Sequence, residues 1–508
     1  MARRHSYGAE SGASGAIRVI LCAAFLFFCT NSATAADPIR PPNIVLILAD
    51  DLGYGDLGCY GAKDIRTPNL DRMAREGTRF TNFCVAQPVC TASRAAIMSG
   101  CYPNRIGMAG ALNHTSTIGI HPDEVLLPEL CQQKGYATAH YGKWHLGTRP
   151  VFFPTRNGFD EWVGLPYSND NGPLHPTVRG IPALPLYAND KVIATDPDQS
   201  QFTKLFTEKA VGFIKTNKAK PFFVYLPHIM PHVPIFASEP FKGKSGRGLY
   251  GDVVEELDWS VGEIFKAIKE CNLDNDTLVL FLSDNGPFLS YGSHAGSAGR
   301  FREGKLTTFE GGVCVPFLAR WPGKIAEGMV CDELMTGLDL LPTIAKVIGS
   351  DLPKVKIDGV DLSPLLLCVK GAKGRDSFGY FSGSELHAVR SGKWKLHFPH
   401  EYLTVNGIAG KDGKPANHEK IKPDAIEESG IRGIASRHGY KVEKLELSLF
   451  DLEADPGESK NVAASQQAVV ERLKALGNDL RRDLGDPLTG IKGAGLRSPG
   501  HDKTTPKP

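Results

Sequence analysis

Cys90 and Arg94 stand one helical turn apart in VCTASRAAIMSG (89–100), a small polar segment that passes into an apolar helical pattern. A cysteine in such a place is either an ordinary small buried residue or a reacting centre, since a helix N-terminus favours a developing anion. Three acids and an amide stand where apolar runs end. Asp50 and Asp51 close PNIVLILADD (42–51), and Asp284 and Asn285 follow LVLFL in TLVLFLSDNG (277–286). A single acid there would more often cap the next turn or helix. Two separate runs that each end in an acid beside a second oxygen-bearing side chain weaken that reading. Carboxylates converging at a partly buried edge repel one another, so they take up protons or a cation. Oxygen-only ligands favour a hard ion, Ca²⁺ or Mg²⁺, over zinc. The cations form a second group: Lys143 and His145 in GKWHLG, His228 and His232 in PHIMPHVP, and Lys305 in GKLTTFEGG. Taken singly, a lysine is usually solvated and a lone histidine usually structural. Together with Arg94 they could form a pocket for a tetrahedral dianion or monoanion beside a metal. Such fixed charges stabilise phosphoryl or sulfuryl transfer where negative charge develops.

The elements that must position these residues follow from periodicity. The runs at 42–51 and 277–286, and PFFVYLPH (221–228), are apolar at successive positions, as in strands of a parallel sheet covered on both faces. Between them, LYGDVVEELDWSVGEIFKAIKEC (249–271) repeats its apolar residues at three and four, the helical period. Alternating strand and helix signals predict a doubly wound α/β domain, a large mixed or parallel sheet spanning 38–370. In such sheets ligands bind beyond the carboxyl ends of the strands, where the acids fall. After about residue 370, SGSELHAVRSGKWKLHFPH and LSLFDLEADPG read as short antiparallel strands, with a polar, glycine-containing insertion between them. Val469, Leu473, Leu476, Leu480 and Leu484 share one face of an amphipathic helix over 466–484. These features predict a smaller α+β domain over 371–486, and Gly, Pro and Lys at 487–508 predict a flexible tail.

Composition bounds the partners. Of 508 residues 42% are hydrophobic and 22% charged, the balance of a soluble globular protein, and the formal net charge of +2 gives no footprint for nucleic acid. Arg3, Arg4 and Arg18, the apolar run VILCAAFLFFC (19–29) and the small residues ATAA (33–36) predict a secretory signal peptide over 1–36. That run is too short to span a bilayer, which takes about 20 residues, so no membrane span is expected after cleavage. Eleven cysteines less Cys22 and Cys29 leave nine, with no CxxC spacing, so zinc is not expected. With Cys90 set aside for chemistry, eight remain that could pair.

Read together, these residues resemble the sulfatase family. CTASR is similar to its signature Cys-x-Pro/Ala-x-Arg, in which the cysteine is oxidised to Cα-formylglycine. The likeness continues in order through ADDLGYGDLGCYG, GKWHLG, GLPYSNDNGP, LSDNGP, KLTTFEGGVCVPF and LFDLEADPGE, and it is arylsulfatase A-like in its motif set. It implies an alkaline phosphatase-like scaffold and hydrolysis of sulfuric esters (the EC 3.1.6 class). It also implies a Ca²⁺ held by Asp50, Asp51, Asp284, Asn285 and an oxygen of the modified Cys90. Arg94 and Lys143 would steady that residue, and His145 would act as base. Lys143, Ser168, His232 and Lys305 would contact the sulfate, with His232 or Lys305 assisting the leaving oxygen. His228 receives no role. In the mechanism the resemblance implies, the aldehyde hydrate would carry two hydroxyls on one carbon. One would attack sulfur and expel the alcohol, and the other, deprotonated by His145, would eject sulfate and restore the aldehyde. That splits one difficult displacement into two easier steps.

The chain departs from the family's commoner pattern in two places. Ala92 stands where proline is usual, and Met98-Ser99-Gly100-Cys101 stands where Leu-Thr-Gly-Arg is common. Both lie in the segment read by the formylglycine-generating enzyme, the partner expected during maturation. The chain is expected to be exported, periplasmic or secreted, or lysosomal in a eukaryotic host, where Asn113 and Asn275 would be glycosylation sequons. Two other functions fit the residues: a phosphoester or phosphonate hydrolase on the same scaffold, and an unconverted binder of sulfated glycans. The determinants of the sulfated small molecule or glycan fall in 171–191 and 401–447, which carry no readable motif.

Overall fold

The computed structural model of the protein describes residues 40–405, 408–421 and 430–502. The signal sequence expected over 1–36 lies outside the described residues.

Ten strands build the large sheet: β1 (Asn43–Ala49), β2 (Thr78–Phe80), β3 (Ala137–Lys143), β4 (Glu161–Leu165), β5 (Pro185–Ala188), β6 (Lys191–Thr195), β7 (Phe222–Pro227), β8 (Thr277–Ser283), β9 (Phe317–Arg320) and β10 (Met329–Cys331). Their order is β10-β2-β9-β8-β1-β7-β3-β4-β5-β6. The central block β8-β1-β7-β3-β4 is parallel, while β9, β5 and β6 run antiparallel to their neighbours. The sheet is therefore mixed around a parallel centre.

The unbroken apolar runs have a direct cause. All seven residues of β1 are buried. Ile44, Leu46 and Leu48 join the core on one face, and Val45, Ile47 and Ala49 join the core on the other. A strand covered on both faces has no solvent side on which to place polar residues. Helices α1 (Cys90–Ser99), α2 (Phe202–Thr216) and α3 (Gly248–Glu270) provide part of that cover. Every residue of α1 is buried, and the helix ends at Gly100, whose φ of 68° lies in the left-handed region that glycine enters without penalty.

A second, smaller sheet is antiparallel: β11 (Ser377–Ser382), β12 (Glu385–Ser391), β13 (Trp394–His397) and β16 (Ser448–Asp451), in that order. The segment between β13 and β16 contains the ribbon β14 (His400–Thr404) and β15 (Lys441–Leu445), with helix α4 (Gly430–His438) between its strands. Helix α5 (Gln467–Leu484) buries Val470, Leu473 and Leu484, with Val469, Leu476 and Leu480 packed beside them.

The tail differs from the sequence expectation. Residues 487–502 are held to the body, because glycines let the backbone approach closely and Arg497 supplies an anchor. Arg497 forks onto buried Glu124 with Nε and Nη2 at 2.6 and 2.7 Å. Gly500–His501 pairs antiparallel with Ile118–Gly119, at a place where a Cβ on Gly500 would lie 2.7 Å from the Ile120 carbonyl oxygen. Composition alone could not reveal these partners, which lie hundreds of residues away.

Candidate active site

Strand register assembles the acids. β1 and β8 are parallel with Ala49 opposite Ser283, so Asp50–Asp51 and Asp284–Asn285 leave the sheet side by side at its carboxyl edge. β7 and β3 lie next in the same block and deliver His228 and His232, then Lys143 and His145, to that edge. α1 presents Cys90 at its first residue and Arg94 one turn on. Three non-glycine residues here hold left-handed backbone: Asp51 (φ 66°), His145 (φ 63°) and Leu306 (φ 74°), the neighbour of Lys305. Such conformations persist where the surrounding structure enforces them, and they cluster at functional sites.

Arg94 is completely buried and organises the acids. Its Nη2 and Nε donate to Asp284 Oδ2 at 2.8 and 3.0 Å, Nη2 lies 3.1 Å from Asp50 Oδ2, and Nη1 donates to the Lys143 carbonyl at 3.0 Å. Lys143 Nζ donates to Asp50 Oδ2 at 2.6 Å, and Lys305 Nζ lies 2.7 Å from Asp51 Oδ1. Three carboxylates thus meet three cations. Burial works against ionisation of Asp50, but Lys143 and Arg94 outweigh it and hold the carboxyl below its usual range. Arg94 and Lys305 are pushed up by their acidic neighbours against the effect of burial.

Two oxygens in this cluster, Asp50 Oδ1 and Asn285 Oδ1, are buried without a hydrogen-bond partner. Asn285 donates its Nδ2 to Asp51 Oδ1 at 2.7 Å, so its carbonyl oxygen is the end left over. Ligand atoms of Asp50, Asp51 and His232 also lie within 4.8 Å of one another. Unpaired buried acceptors are costly unless something meets them. Hard oxygen donors around two vacant acceptors fit a hard divalent cation.

Cys90, His145, Ser168, His232 and Lys305 line one cavity of about 680 Å³. Burial pushes the Cys90 thiol up despite Lys143 and Lys305, so the sulfur is held as a neutral thiol, a poor nucleophile. His145 is fixed by its other nitrogen. Nε2 lies 2.7 Å from the Leu112 carbonyl, which can only accept, so Nε2 carries the proton and Nδ1 the lone pair. Nδ1 is buried without a partner, and burial, with Lys143 adding to it, holds the ring well below the usual histidine range. A neutral ring with one free lone pair is equipped to receive a proton. His232 donates Nδ1–H to the Val233 carbonyl at 2.6 Å and turns Nε2 towards Asp51 Oδ2 at 3.6 Å.

His228 is not among the residues lining this cavity. It is buried, with Nε2 3.0 Å from Ser260 Oγ of α3, and burial pushes its ring down to about 3. Its role is in the core. Sequence reasoning missed Asp170, which accepts from Ser168 Oγ and is held below the usual carboxylate range by His232 and His175 against the effect of burial. Its signal was available two residues after Ser168 in SNDNG. Arg437 and His438 of α4 also line the cavity, and nothing in their local sequence points there.

Residues 42–350 match the Sulfatase family profile, and residues 373–488 match the profile of the C-terminal region of aryl-sulfatase. The chain belongs to the sulfatase family. This sulfatase is 41% identical to the arylsulfatase A of Bos taurus over 461 residues, 86% of each chain. It is also 41% identical to the N-acetylgalactosamine-6-sulfatase of Sus scrofa, over 86% of this chain and 84% of that one. A crystal structure of a sulfatase from Pseudoalteromonas sp. superposes with a TM-score of 0.73 at 26% identity, covering 89% of this chain and 92% of the other. The sulfatase is therefore a sulfuric ester hydrolase on an alkaline phosphatase-like fold.

Proposed function

We propose that the enzyme hydrolyses sulfate monoesters with a Cα-formylglycine made from Cys90 and a calcium ion held by Asp50, Asp51, Asp284 and Asn285. The observation that carries the reading is the meeting of Cys90 with Arg94, Lys143, His145 and Lys305 beside two unpartnered acceptor oxygens. The aldehyde supplies, as its hydrate, an oxygen nucleophile in place of a thiol that burial keeps protonated. Calcium supplies two positive charges whose field favours ionised oxygen nearby.

The chain's own residues have definite duties. Arg94 clamps Asp50 and Asp284 and fixes the Lys143 backbone, so the acids hold their places. Lys143 and Lys305 bring positive charge to the sulfate, joined by Ser168. His145 accepts a proton at Nδ1. His232 or Lys305 assists the leaving oxygen. Three carboxylates already offset Arg94, Lys143 and Lys305, so a bound dication leaves the site positive enough to draw a sulfate monoester anion.

The cavity of about 680 Å³ far exceeds one sulfate group and is lined by Asp170, Asn171, Glu385 and Glu401 beside Phe288 and Ile434. Acceptors for hydroxyl groups next to apolar surface suit a sulfated sugar unit or a comparable small sulfated alcohol. The leader-like N-terminus supports export to the periplasm, the medium or the lysosome. Among the described residues, no helix is long and apolar enough to cross a membrane.

The test is mass spectrometry of peptide Phe80–Arg94 from protein made in its own host. Conversion of Cys90 lowers the peptide by about 18 Da, the thiol-to-aldehyde change of an activated covalent catalyst. An unmodified thiol in catalytically competent protein overturns the reading. An unmodified thiol in inert protein that still binds sulfated glycans favours the unconverted binder.

A further inference from the structure

Cys84 and Cys314 face each other across a small antiparallel bridge. The hydrogen bonds flank them: Val85 N–H donates to the Val313 carbonyl at 2.8 Å, and Val315 N–H donates to the Phe83 carbonyl at 3.0 Å. The two cysteines therefore form a directly opposed pair of the non-hydrogen-bonded kind, in which Cα atoms stand about 4.5 Å apart. That separation lies within the range of about 4.4–6.8 Å that a disulfide spans. The two sulfurs are within 4.8 Å of each other, and both residues are buried. Among the described residues, no other pair of cysteines is opposed in this way.

We infer that Cys84 and Cys314 form a disulfide in the exported protein. Two S–H bonds break and one S–S bond forms. The two electrons reduce the S–S bond of an exchange partner, a thiol–disulfide oxidoreductase of the export compartment, which leaves as a dithiol carrying both protons. Burial, then the Cys84 sulfur beside it, pushes the Cys314 thiol well up, so the closed fold holds a poor attacking group. The bond therefore forms while the chain folds, before the core shuts around it.

The position gives the link a purpose. Cys84 lies six residues before Cys90, and Cys314 lies nine residues after Lys305, on the segment that returns from the active site. Leu306 N–H also donates to the Pro88 carbonyl at 2.8 Å, so the two segments run together into the cavity. A covalent tie at their base fixes the segment bearing the nucleophile against the one bearing Lys305. Glu310 shares the cluster, but its carboxylate is committed to Lys395 at 2.9 Å and faces Arg390 at 3.7 Å. It neutralises those cations, which favours a disulfide over a metal held by two thiolates and a carboxylate.

The test uses the full mature chain recovered from an oxidising export compartment, denatured with an alkylating agent and no reductant, then digested with trypsin. The expected product joins Phe80–Arg94 to Leu306–Arg320, two hydrogens lighter than the separate peptides, with fragmentation assigning the link to Cys84. Alkylation of both Cys84 and Cys314 overturns the inference. So does stoichiometric zinc that must be chelated before the thiols react. A second readout is the thermal midpoint, which dithiothreitol lowers by on the order of 5 °C in the native sequence. The Cys84→Ala/Cys314→Ala variant should show no such response, and an equal shift in both proteins overturns the inference. Neither readout depends on conversion of Cys90, so failure here leaves the proposed hydrolytic mechanism standing.

Discussion

Replacing Arg94 with glutamine separates the two charges that the acidic cluster can hold. In the structure the guanidinium gives Asp284 Oδ2 two hydrogen bonds, and the remaining oxygen of Asp284 accepts from the backbone N–H of Asp51 at 3.2 Å. Asp50 keeps Lys143 at 2.6 Å, so Asp284 is the carboxylate left uncompensated. Removing one member of a buried ion pair costs about 3–5 kcal/mol, because the surviving charge is stranded away from water. That is the loss expected for Arg94→Gln in a chelator. A dication bound at the cluster would compensate Asp284 instead, and without Arg94 it would meet two fixed positive charges, Lys143 and Lys305, rather than three. The loss in saturating calcium should therefore be smaller. Calcium should stabilise the variant more than the parent, by an amount that grows as RT ln(1 + [Ca²⁺]/Kd), about 2.7 kcal/mol at one hundred times Kd. Denaturant unfolding followed by tryptophan fluorescence, in EDTA and in millimolar CaCl₂, reads both quantities without requiring converted Cys90. Equal losses in the two buffers would refute the cation site, as would a parent protein whose stability ignores calcium.

Lys143→Ala removes a cation in direct contact with Asp50 and should lower kcat about 10²- to 10³-fold, as for other preorganised charge contacts. A turnover assay on a chromogenic aryl sulfate checks it, and a change below threefold would remove Lys143 from the mechanism. Acid should also destabilise the fold, most visibly below pH 6.5. His140, His228, His397 and His400 are all held below the usual histidine value by burial, His228 at about 3 and His400 at about 2. A depressed ring contributes its full stability above the unfolded value of 6.5 and loses it as pH falls towards the folded value, about 1.4 kcal/mol per pH unit for each ring. Asp56 and Asp258, raised to about 6 by burial, and Glu129, Glu256 and Glu303, also raised by burial, act in the opposite sense, but His145, His175, His294 and His438 are depressed by burial as well, so eight rings outnumber five acids. Unfolding free energies at pH 7.5, 6.0 and 4.5 should fall in that order, and a flat profile would contradict the neutral buried rings.

What could be read in the sequence follows from which constraints are local. The runs ending in Asp50–Asp51 and Asp284–Asn285 were legible because a strand buried on both faces must be apolar throughout, so its first polar residues mark the sheet edge. Their convergence depended only on β1 and β8 being parallel neighbours in register. His228 and His232 could not be told apart in PHIMPHVP, since one reaches the cavity and the other Ser260 only through loop geometry. Asp170 was passed over beside Ser168 because its importance comes from His175 and His232, which a local motif does not contain. The order at 487–502 was hidden for the same reason: Glu124 and Ile118–Gly119 lie far away along the chain.

The same distinction explains how the site tolerates its own composition. Asp50, Asp51 and Asp284 would drive one another towards protonation if the sheet edge brought only acids together. Register makes that edge common to four parallel strands, so the acids of β1 and β8 arrive with Lys143 from β3, while α1 and the loop after β8 add Arg94 and Lys305. Three negative and three positive charges nearly cancel, which lets the cluster be buried before any ion or substrate arrives. Cancellation is incomplete in direction, however, because Asp50 and Asn285 each keep one buried oxygen without a partner. A neutral cluster with two unsatisfied acceptors could take a cation without first surrendering protons, and each charge so added would remain available to an anionic ester. The left-handed backbone at Asp51, His145 and Leu306 then has a cause: the turns are held where they bring Asp51 against Lys305 and set His145 and Lys305 in the wall of one cavity, against the local preference of their residues.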